Sequence, residues 1–295
     1  MRFFATTSRR AFTLVELLVV LAIISILAGI LFPVFASAKR VAVRTQCLAN
    51  FANAGKATLL YVGDYDDRLM PTNHRPGMPP DPVLDRTWPQ LLLPYVTNFR
   101  TFDCPAQPNS MEFGGAFDPD LLPGDYAARY YTASLHSDLG YNAYYLSPIT
   151  YQENAWAARP RSTTEVPPPT LLYIESGDGK SGAYIVSPPC RYVADSRGWV
   201  DTFVPSAVRA APSGGPGGYG DMVYAPVKGW NPSAPSESLP YGGVFLRHGD
   251  RLNIARLDGS AASVGLAQLS SGCDVQPTWG GAITNAGQYV WYPVQ

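Results

Sequence analysis

Apolar residues run almost without interruption over residues 17–38, a stretch with no charged side chain. About 20 apolar residues in a helix, at 1.5 Å per residue, are enough to cross the hydrocarbon core of a bilayer. We therefore predict a transmembrane helix over residues 12–38. Glu16 lies inside the start of this helix, and because a carboxylate in lipid costs about 3 kcal/mol, we expect it to have a partner.

The helical pattern continues beyond the apolar run but becomes two-faced. Residues 39–64 contain no proline, and apolar residues recur there at spacings of three and four, opposite a polar face. The pattern predicts one long helix that passes through Pro33 and ends near Asp64, with its second half lying on a sheet. The apolar positions of that half are Cys47, Leu48, Phe51, Ala54, Leu59 and Val62.

Short apolar runs between turn residues predict strands in the remainder of the chain. Asp258-Gly259 is predicted to form a two-residue type I′ turn between two of them, and residues 176–179 to connect an earlier hairpin. A short helix is expected at residues 88–96 and a long exposed loop at residues 205–240. The predicted strands are residues 139–146, 171–175, 183–186, 252–257 and 261–266.

Composition supports a loop-rich domain with β-structure outside the cytoplasm. The chain has 28 Pro, 27 Gly and 18 Tyr among 295 residues. We predict an α+β fold, in which the long helix packs on an antiparallel β-sheet domain with long loops. The net charge of −1 and the 15% of charged residues give no indication of nucleic-acid binding.

The residues before the apolar run form a motif, Arg9-Arg10-Ala11-Phe12-Thr13-Leu14-Val15-Glu16. It resembles the class III signal of type IV prepilins and type II secretion pseudopilins. The resemblance implies a leader over residues 1–11, cleavage between Ala11 and Phe12, N-methylation of Phe12, and pairing of Glu16 with the terminal amine of a neighbouring subunit. Ala11 stands where that family usually has glycine.

The resemblance also implies where the protein is and what it contacts. Residues 12–38 would cross the bacterial inner membrane once, residues 39–64 would continue the helix, and residues 65–295 would form a pilin-like domain outside the cytoplasm. The implied partners are the prepilin peptidase and N-methyltransferase, other pilin-like subunits, an inner-membrane assembly platform and membrane lipid. The implied product is a pseudopilus or a pilus-like fibre.

Two other interpretations of the N-terminus remain open. Residues 8–12 resemble the start of a twin-arginine signal, and residues 36–38 an A-x-A site for signal peptidase I, which would release a soluble domain. The second alternative is a plain membrane anchor that is not cleaved. Charge does not decide orientation, because three basic residues precede the span and three follow it closely. These are Arg2, Arg9 and Arg10 before it, and Lys39, Arg40 and Arg44 after it.

The four cysteines are Cys47, Cys104, Cys190 and Cys273. Their spacing matches neither a zinc motif nor C-x-x-C, so we expect no metal or cofactor at them. An even count in an exported chain indicates two disulfides. Among three possible connectivities we favour Cys47–Cys104 and Cys190–Cys273, with free buried thiols as the alternative.

His248 precedes Asp258-Gly259 at a spacing that resembles a C-terminal segment of prepilin-type proteins, H-x(nine)-D-G. His248 and Asp258 could be read as an acid–base pair. However, Asp-Gly suits a turn and a histidine can hydrogen-bond a neighbouring loop, so we favour a structural role. No hydrolase, metalloprotease or nucleotide motif is present in the sequence, and we do not expect an enzyme.

Two further possibilities concern ligands. Asp64, Asp66 and Asp67 offer oxygen ligands for calcium, which major pseudopilins often bind, but they lack the spacing of an EF-hand loop. The aromatic content and the loop at residues 205–240 suggest, as the alternative to a filament subunit, a membrane-tethered or secreted binding module for cell-surface glycans.

Mass spectrometry of the N-terminus of protein from native membranes tests the interpretation of the first 38 residues. We expect the mature chain to begin with methylated Phe12, because the motif directs cleavage before this residue. A chain that begins at Lys39 would instead establish ordinary export, and one that keeps its first residues would establish an uncleaved anchor.

Overall fold

The structure, a computed structural model, describes residues 12–72, 86–96, 98–107, 133–152, 155–177, 185–186, 188–195, 198–201, 243–275 and 281–291. The chain divides into two compact units, one that ends at Val43 and one that begins at Arg44. The predicted loop at residues 205–240 lies outside the described residues.

Helix α1 spans Leu14–Asp64, 51 residues, and continues through Pro33 as predicted. In its first half the large apolar side chains are exposed, for example Ile30 at 65%. The Ser25 hydroxyl donates to the Leu21 carbonyl at 2.7 Å, which satisfies this polar group within the helix. By length and composition α1 can cross a membrane, which is consistent with a single-pass anchor.

The second half of α1 buries one face, as its pattern predicts. Phe51 and Ala54 are fully buried, whereas Leu59, predicted to face inward, is 42% exposed. Thr58 is buried in its place, and its hydroxyl lies 2.7 Å from that of Tyr173. The buried positions are Cys47, Phe51, Ala54, Gly55, Ala57, Thr58, Tyr61 and Val62.

The end of α1 agrees with the prediction at Asp64 and has a local cause. Asp66 adopts a left-handed φ of 51°, and the Asp67 amide donates to the Val62 carbonyl at 3.1 Å. This is the hydrogen bond of a Schellman motif, which satisfies a carbonyl that the helix leaves without a partner.

A four-stranded antiparallel sheet packs against this face of α1, which confirms the predicted α+β class. The strand order is β1-β4-β7-β8, and the pairing β7–β8 confirms the predicted C-terminal hairpin. All residues of β4 are buried, which explains its continuous apolar sequence. The strands are β1 (Leu139–Tyr141), β4 (Leu171–Glu175), β7 (Arg251–Arg256) and β8 (Ala261–Gly265).

Alternation along β7 separates two cores. Leu252 and Ile254 belong to a core on the far side of the sheet, whereas Ala255 packs in the core that α1 covers. The far-side core also contains Tyr289 and Trp291. Asn253 therefore lies on the α1 side, and so does Glu175, two residues after Tyr173 on β4.

The other elements are short. Helix α2 (Trp88–Leu92) continues into a 3₁₀ turn (Leu93–Tyr95), close to the predicted short helix, and a second turn follows at Phe99–Phe102. Strands β2 (Ile149–Gln152) and β3 (Ala155–Ala158) form a hairpin. A second sheet has the order β6-β5-β10-β9. Its strands are β5 (Cys190–Asp195), β6 (Gly198–Asp201), β9 (Cys273–Asp274) and β10 (Gly281–Ile283), with α4 (Leu266–Leu269) before β9.

Two strand predictions are wrong. The strand predicted at residues 139–146 stops at Tyr141, because the Asn142 side chain binds the carbonyls of Leu171 and Trp291 and the chain turns into helix α3 (Ala143–Leu146). The predicted hairpin of residues 171–175 with 183–186 does not form among the described residues, and residues 183 and 184 lie outside them. Strand β4 pairs with β1 and β7, and Ile185 makes one parallel bridge to Tyr141.

Truncation of Phe51 tests the packing of α1 on the sheet. Phe51→Ala removes a fully buried aromatic side chain, so we expect the free energy of unfolding to fall by about 3–5 kcal/mol. Urea unfolding of the full chain in detergent, followed by tryptophan fluorescence, measures this loss. Leu60→Ala is the matched control, since Leu60 is 59% exposed on the same helix, and equal losses in both variants would contradict the packing.

Candidate functional site

The start of α1 is closed by a reciprocal pair of hydrogen bonds between Thr13 and Glu16. The Glu16 amide donates to Thr13 Oγ1 at 3.2 Å, and Glu16 Oε2 accepts from the Thr13 amide at 2.9 Å. Oε2 also accepts from the Thr13 hydroxyl at 2.7 Å. This is a capping box, which satisfies donors at the helix start. The carboxylate is thereby fixed at the N-terminal end of α1, beside the exposed Phe12.

The arrangement matters because the helix dipole and the cap both favour an anion here. Glu16 has Thr13 as an intramolecular partner. We expected only the amine of a neighbouring subunit, although T-x-x-E is the sequence pattern of a capping box. Ala11, the predicted residue before the cleavage point, lies outside the described residues.

A group of titratable side chains is buried where α1 packs on the sheet: Cys47, Cys104, Glu175 and His248, here called the buried cluster. Four segments supply it: α1, the loop after the Phe99–Phe102 turn, the end of β4 and the turn before β7. Each side chain offers one ligand atom, and these atoms all lie within 4.8 Å of one another.

Glu175 Oε1 is the centre of the buried cluster. Cys47 Sγ donates to it at 3.0 Å, His248 Nε2 lies 2.9 Å from it, and Cys104 Sγ lies 3.9 Å from it. Asn253 Nδ2 donates to the same oxygen at 3.0 Å. The Glu175 side chain is completely buried, so its charge is screened by these groups instead of water.

The neighbours of the buried cluster hold it in place. Asp138 Oδ2 accepts from the Cys104 amide at 2.8 Å, and Asp138 Oδ1 pairs with the buried Arg247 guanidinium. Arg247 also donates to the Ser176 carbonyl. These contacts fix the chain at Cys104, at Ser176, which follows Glu175, and at Arg247, which precedes His248.

Mutual contacts shift the pKa values of the thiols and the imidazole. A hydrogen bond from Cys47 lowers the pKa of Cys104 to about 6, against burial, which raises it. The bond to Cys104, burial and the charge of Glu175 raise the pKa of Cys47. Burial lowers the pKa of His248, but its hydrogen bonds to Cys104 and Glu175 outweigh burial and raise the pKa to about 9.

The cysteines divide between two environments. The structure contains the expected Cys190–Cys273 disulfide, with a Cα–Cα distance of 5.8 Å, which joins β5 to β9. The other expected pair does not form a disulfide, and Cys47 and Cys104 are free, buried thiols in contact through the cluster. The predicted Cys47–Cys104 disulfide is therefore wrong and the alternative of free buried thiols is confirmed, with Glu175 Oε1 as the hydrogen-bond acceptor of each thiol.

His248 and Asp258 of the predicted His-Asp-Gly motif do not form an acid–base pair. His248 contacts Glu175 and Cys104, whereas the Asp258 carboxylate accepts from the Ser260 amide at 2.8 Å. Gly259 has a φ of 80°, but Asp258 lacks the positive φ that a type I′ turn requires. The Gly259 amide donates to the Arg256 carbonyl, and the Arg256 amide to the Ser260 carbonyl. The turn is therefore a three-residue type I turn with a glycine bulge, a correction to the predicted turn.

The remaining candidate sites have structural roles among the described residues. The Tyr95 hydroxyl donates to Asp64 at 2.7 Å, and Asp66 and Asp67 both have positive φ at the end of α1. Calcium binding at these three residues stays a prediction. The largest buried aromatic side chains, such as Trp88 and Trp291, form core, so they are not available to stack on a glycan.

A family model described as the prokaryotic N-terminal methylation motif matches residues 6–32. No curated protein matches the chain, and no solved structure matches it. The matched range contains Phe12, Thr13 and Glu16. The chain thus carries a prepilin-type N-terminal methylation motif on a long apolar helix, which supports a type IV pilin-like or pseudopilin subunit.

Substitution of Gly259 tests the observed turn. Gly259→Ala places a Cβ on a residue with a φ of 80°, 3.1 Å from Leu59 Cδ1. We expect the free energy of unfolding to fall by about 1–2 kcal/mol. The control is Gly63→Ala, whose Cβ meets nothing within 4 Å and which should not destabilise the protein. Urea unfolding of the full chain compares the two, and equal stability of both variants would contradict the turn.

Proposed function

We infer that the chain is a structural subunit of a type II secretion pseudopilus or a type IV pilus-like fibre, assembled through the first half of α1. The observation that carries the inference is the combination of the methylation motif with an apolar surface on the first half of α1 that the described residues leave exposed. Such a surface needs lipid or other copies of the same helix to cover it.

Processing creates the group that Glu16 requires. A prepilin peptidase hydrolyses the peptide bond between Ala11 and Phe12, leaving a carboxylate on Ala11 and an amine on Phe12, which the same enzyme methylates. Thr13 keeps its amide after this cut. The Thr13–Glu16 capping box is therefore compatible with the mature N-terminus.

Assembly follows from the cost of an unpaired charge in lipid. In the structure, the Glu16 carboxylate has the polar groups of Thr13 as partners but no positive charge from a side chain among the described contacts. A neighbouring subunit supplies that charge as its methylated Phe12 amine. Removing one member of a pair of this kind costs about 3–5 kcal/mol, so the pair sets which helix register is assembled.

The partners and location follow from this route. The subunit is inserted in the inner membrane with its C-terminal unit outside the cytoplasm. The peptidase cleaves it in that membrane, on the cytoplasmic side. The mature subunit then passes through an assembly platform into a fibre with other pilin-like subunits. The pseudopilus and the pilus share this chemistry.

Glu16→Gln separates the capping role from the pairing role. Glutamine at this position preserves the capping box but removes the charge. We expect Glu16→Gln to be cleaved and inserted normally yet to be absent from fibres, like Glu16→Val, because the neighbouring amine would have no counter-charge. Immunoblots of sheared fibre and membrane fractions measure this.

Glu165→Gln is the matched control, since Glu165 is an exposed glutamate that pairs with Arg161 on the surface. It should assemble normally. If Glu16→Gln were incorporated into fibres normally while Glu16→Val were not, helix capping would be the sole role of Glu16. This result would contradict the pairing mechanism.

A further inference from the structure

We propose that Cys47, Cys104, Glu175 and His248 form a closed binding site for a divalent metal ion of the zinc class. The site lies in the C-terminal unit and is separate from the N-terminal motif, so the inference does not depend on assembly into a fibre.

The first argument is the spacing of the ligand atoms. Zinc binds sulfur at about 2.3 Å and nitrogen or oxygen at about 2.0 Å, so the ligand atoms of a tetrahedral site lie about 3.3–3.8 Å from one another. In the buried cluster, Cys104 Sγ lies 3.7 Å from His248 Nε2 and 3.9 Å from Glu175 Oε1. His248 Nε2 and Cys47 Sγ lie 2.9 Å and 3.0 Å from the same oxygen. These four distances agree with the edges of a tetrahedron to within roughly 0.5 Å, and all six distances between the ligand atoms are within 4.8 Å.

The second argument is the carboxylate. Glu175 Oε1 is crowded by donors, whereas Glu175 Oε2 is buried and makes no hydrogen bond among the described residues. A buried carboxylate oxygen without a partner is costly. A cation held by this carboxylate would compensate for the desolvation that the donors on Oε1 only partly offset.

The third argument is the chemistry of the ligand set. Two cysteines, one histidine and one carboxylate suit zinc, while calcium and magnesium prefer oxygen ligands alone. The Cys47, Cys104 and Glu175 side chains are fully buried and that of His248 is 6% exposed. A closed site of four protein ligands is the form of structural zinc, not of catalytic zinc, which keeps an open position.

The fourth argument is the origin of the ligands. Cys47 is on α1, Glu175 ends β4, and Cys104 and His248 come from two loops, so one ion would join α1 to the sheet and to both loops. Asn253, bound to Glu175, and Asp138, bound to the Cys104 amide, orient two of the ligands. The ligands bind as thiolates, carboxylate and neutral imidazole, and the protons that they hold pass to solvent on loading.

Cobalt titration of the full chain tests the site. The protein is purified in detergent under reducing conditions, stripped with a chelator and titrated with Co²⁺. We expect one equivalent to bind, with the d–d bands of tetrahedral cobalt and an intense thiolate-to-cobalt charge-transfer band, and zinc to displace it. Cys104→Ser and His248→Ala should weaken cobalt binding more than about 100-fold, since even outer-shell changes cost 10–100-fold.

His136→Ala is the matched control, because His136 is a described histidine outside the buried cluster, and it should bind cobalt like the wild type. Absence of a tetrahedral cobalt spectrum in the folded wild-type protein would overturn the proposal.

Peptide mapping supplies a test that needs no variant. Native protein is unfolded in denaturant that contains a chelator, then alkylated and digested without reduction. We expect Cys47 and Cys104 to be alkylated and Cys190 and Cys273 to remain joined. A Cys47–Cys104 disulfide in the native protein would overturn the proposal, because the sulfurs would then be unavailable to a metal.

Discussion

Helix α1 carries two unlike surfaces on one continuous backbone, and the rest of the structure follows from this constraint. In its first half the backbone polar groups are satisfied within the helix, which allows apolar side chains to be exposed to a medium without water. In its second half the same helix must bury Phe51 and Ala54 against strands β4 and β7. The helix is thus a structural layer of the C-terminal unit and, in the proposed function, also the means of assembly.

Burial of the second half of α1 determines the chemistry beneath it. Cys47 lies one helical turn before Phe51 on the buried face, which brings its thiol against Glu175 at the end of β4. A carboxylate at a fully buried sheet position is stable only if other groups compensate its charge. His248, Asn253 and the two thiols surround only one oxygen of that carboxylate, Oε1, and Oε2 has no hydrogen bond among the described residues. The buried cluster is therefore a consequence of how α1 packs, not of any local motif.

In the proposed fibre, Glu16 at the start of α1 would have two roles. Glu16 caps its own helix through Thr13, which requires only a hydrogen-bond acceptor. Pairing with a neighbouring amine requires its charge. Since the capping box fixes the carboxylate at the helix start, less conformational entropy is lost when a second helix brings its terminus there.

The sequence alone determined the elements whose pattern is long, and it located the turn at Asp258-Gly259 without its type. These elements are the full extent of α1, strand β4, the β7–β8 hairpin and the N-terminal motif. Each depends on a pattern of residues that are close together in the sequence, namely helical periodicity, strand alternation or the N-terminal signal. It did not determine where the strand starting at Leu139 ends or which strands pair with β4, since Asn142 and β7 act across long sequence distances. Only the tertiary structure brought Cys47, Cys104, Glu175 and His248 together. Their spacing along the chain carries no signal, because the packing of α1 on the sheet, and not the local sequence, sets the distances between them.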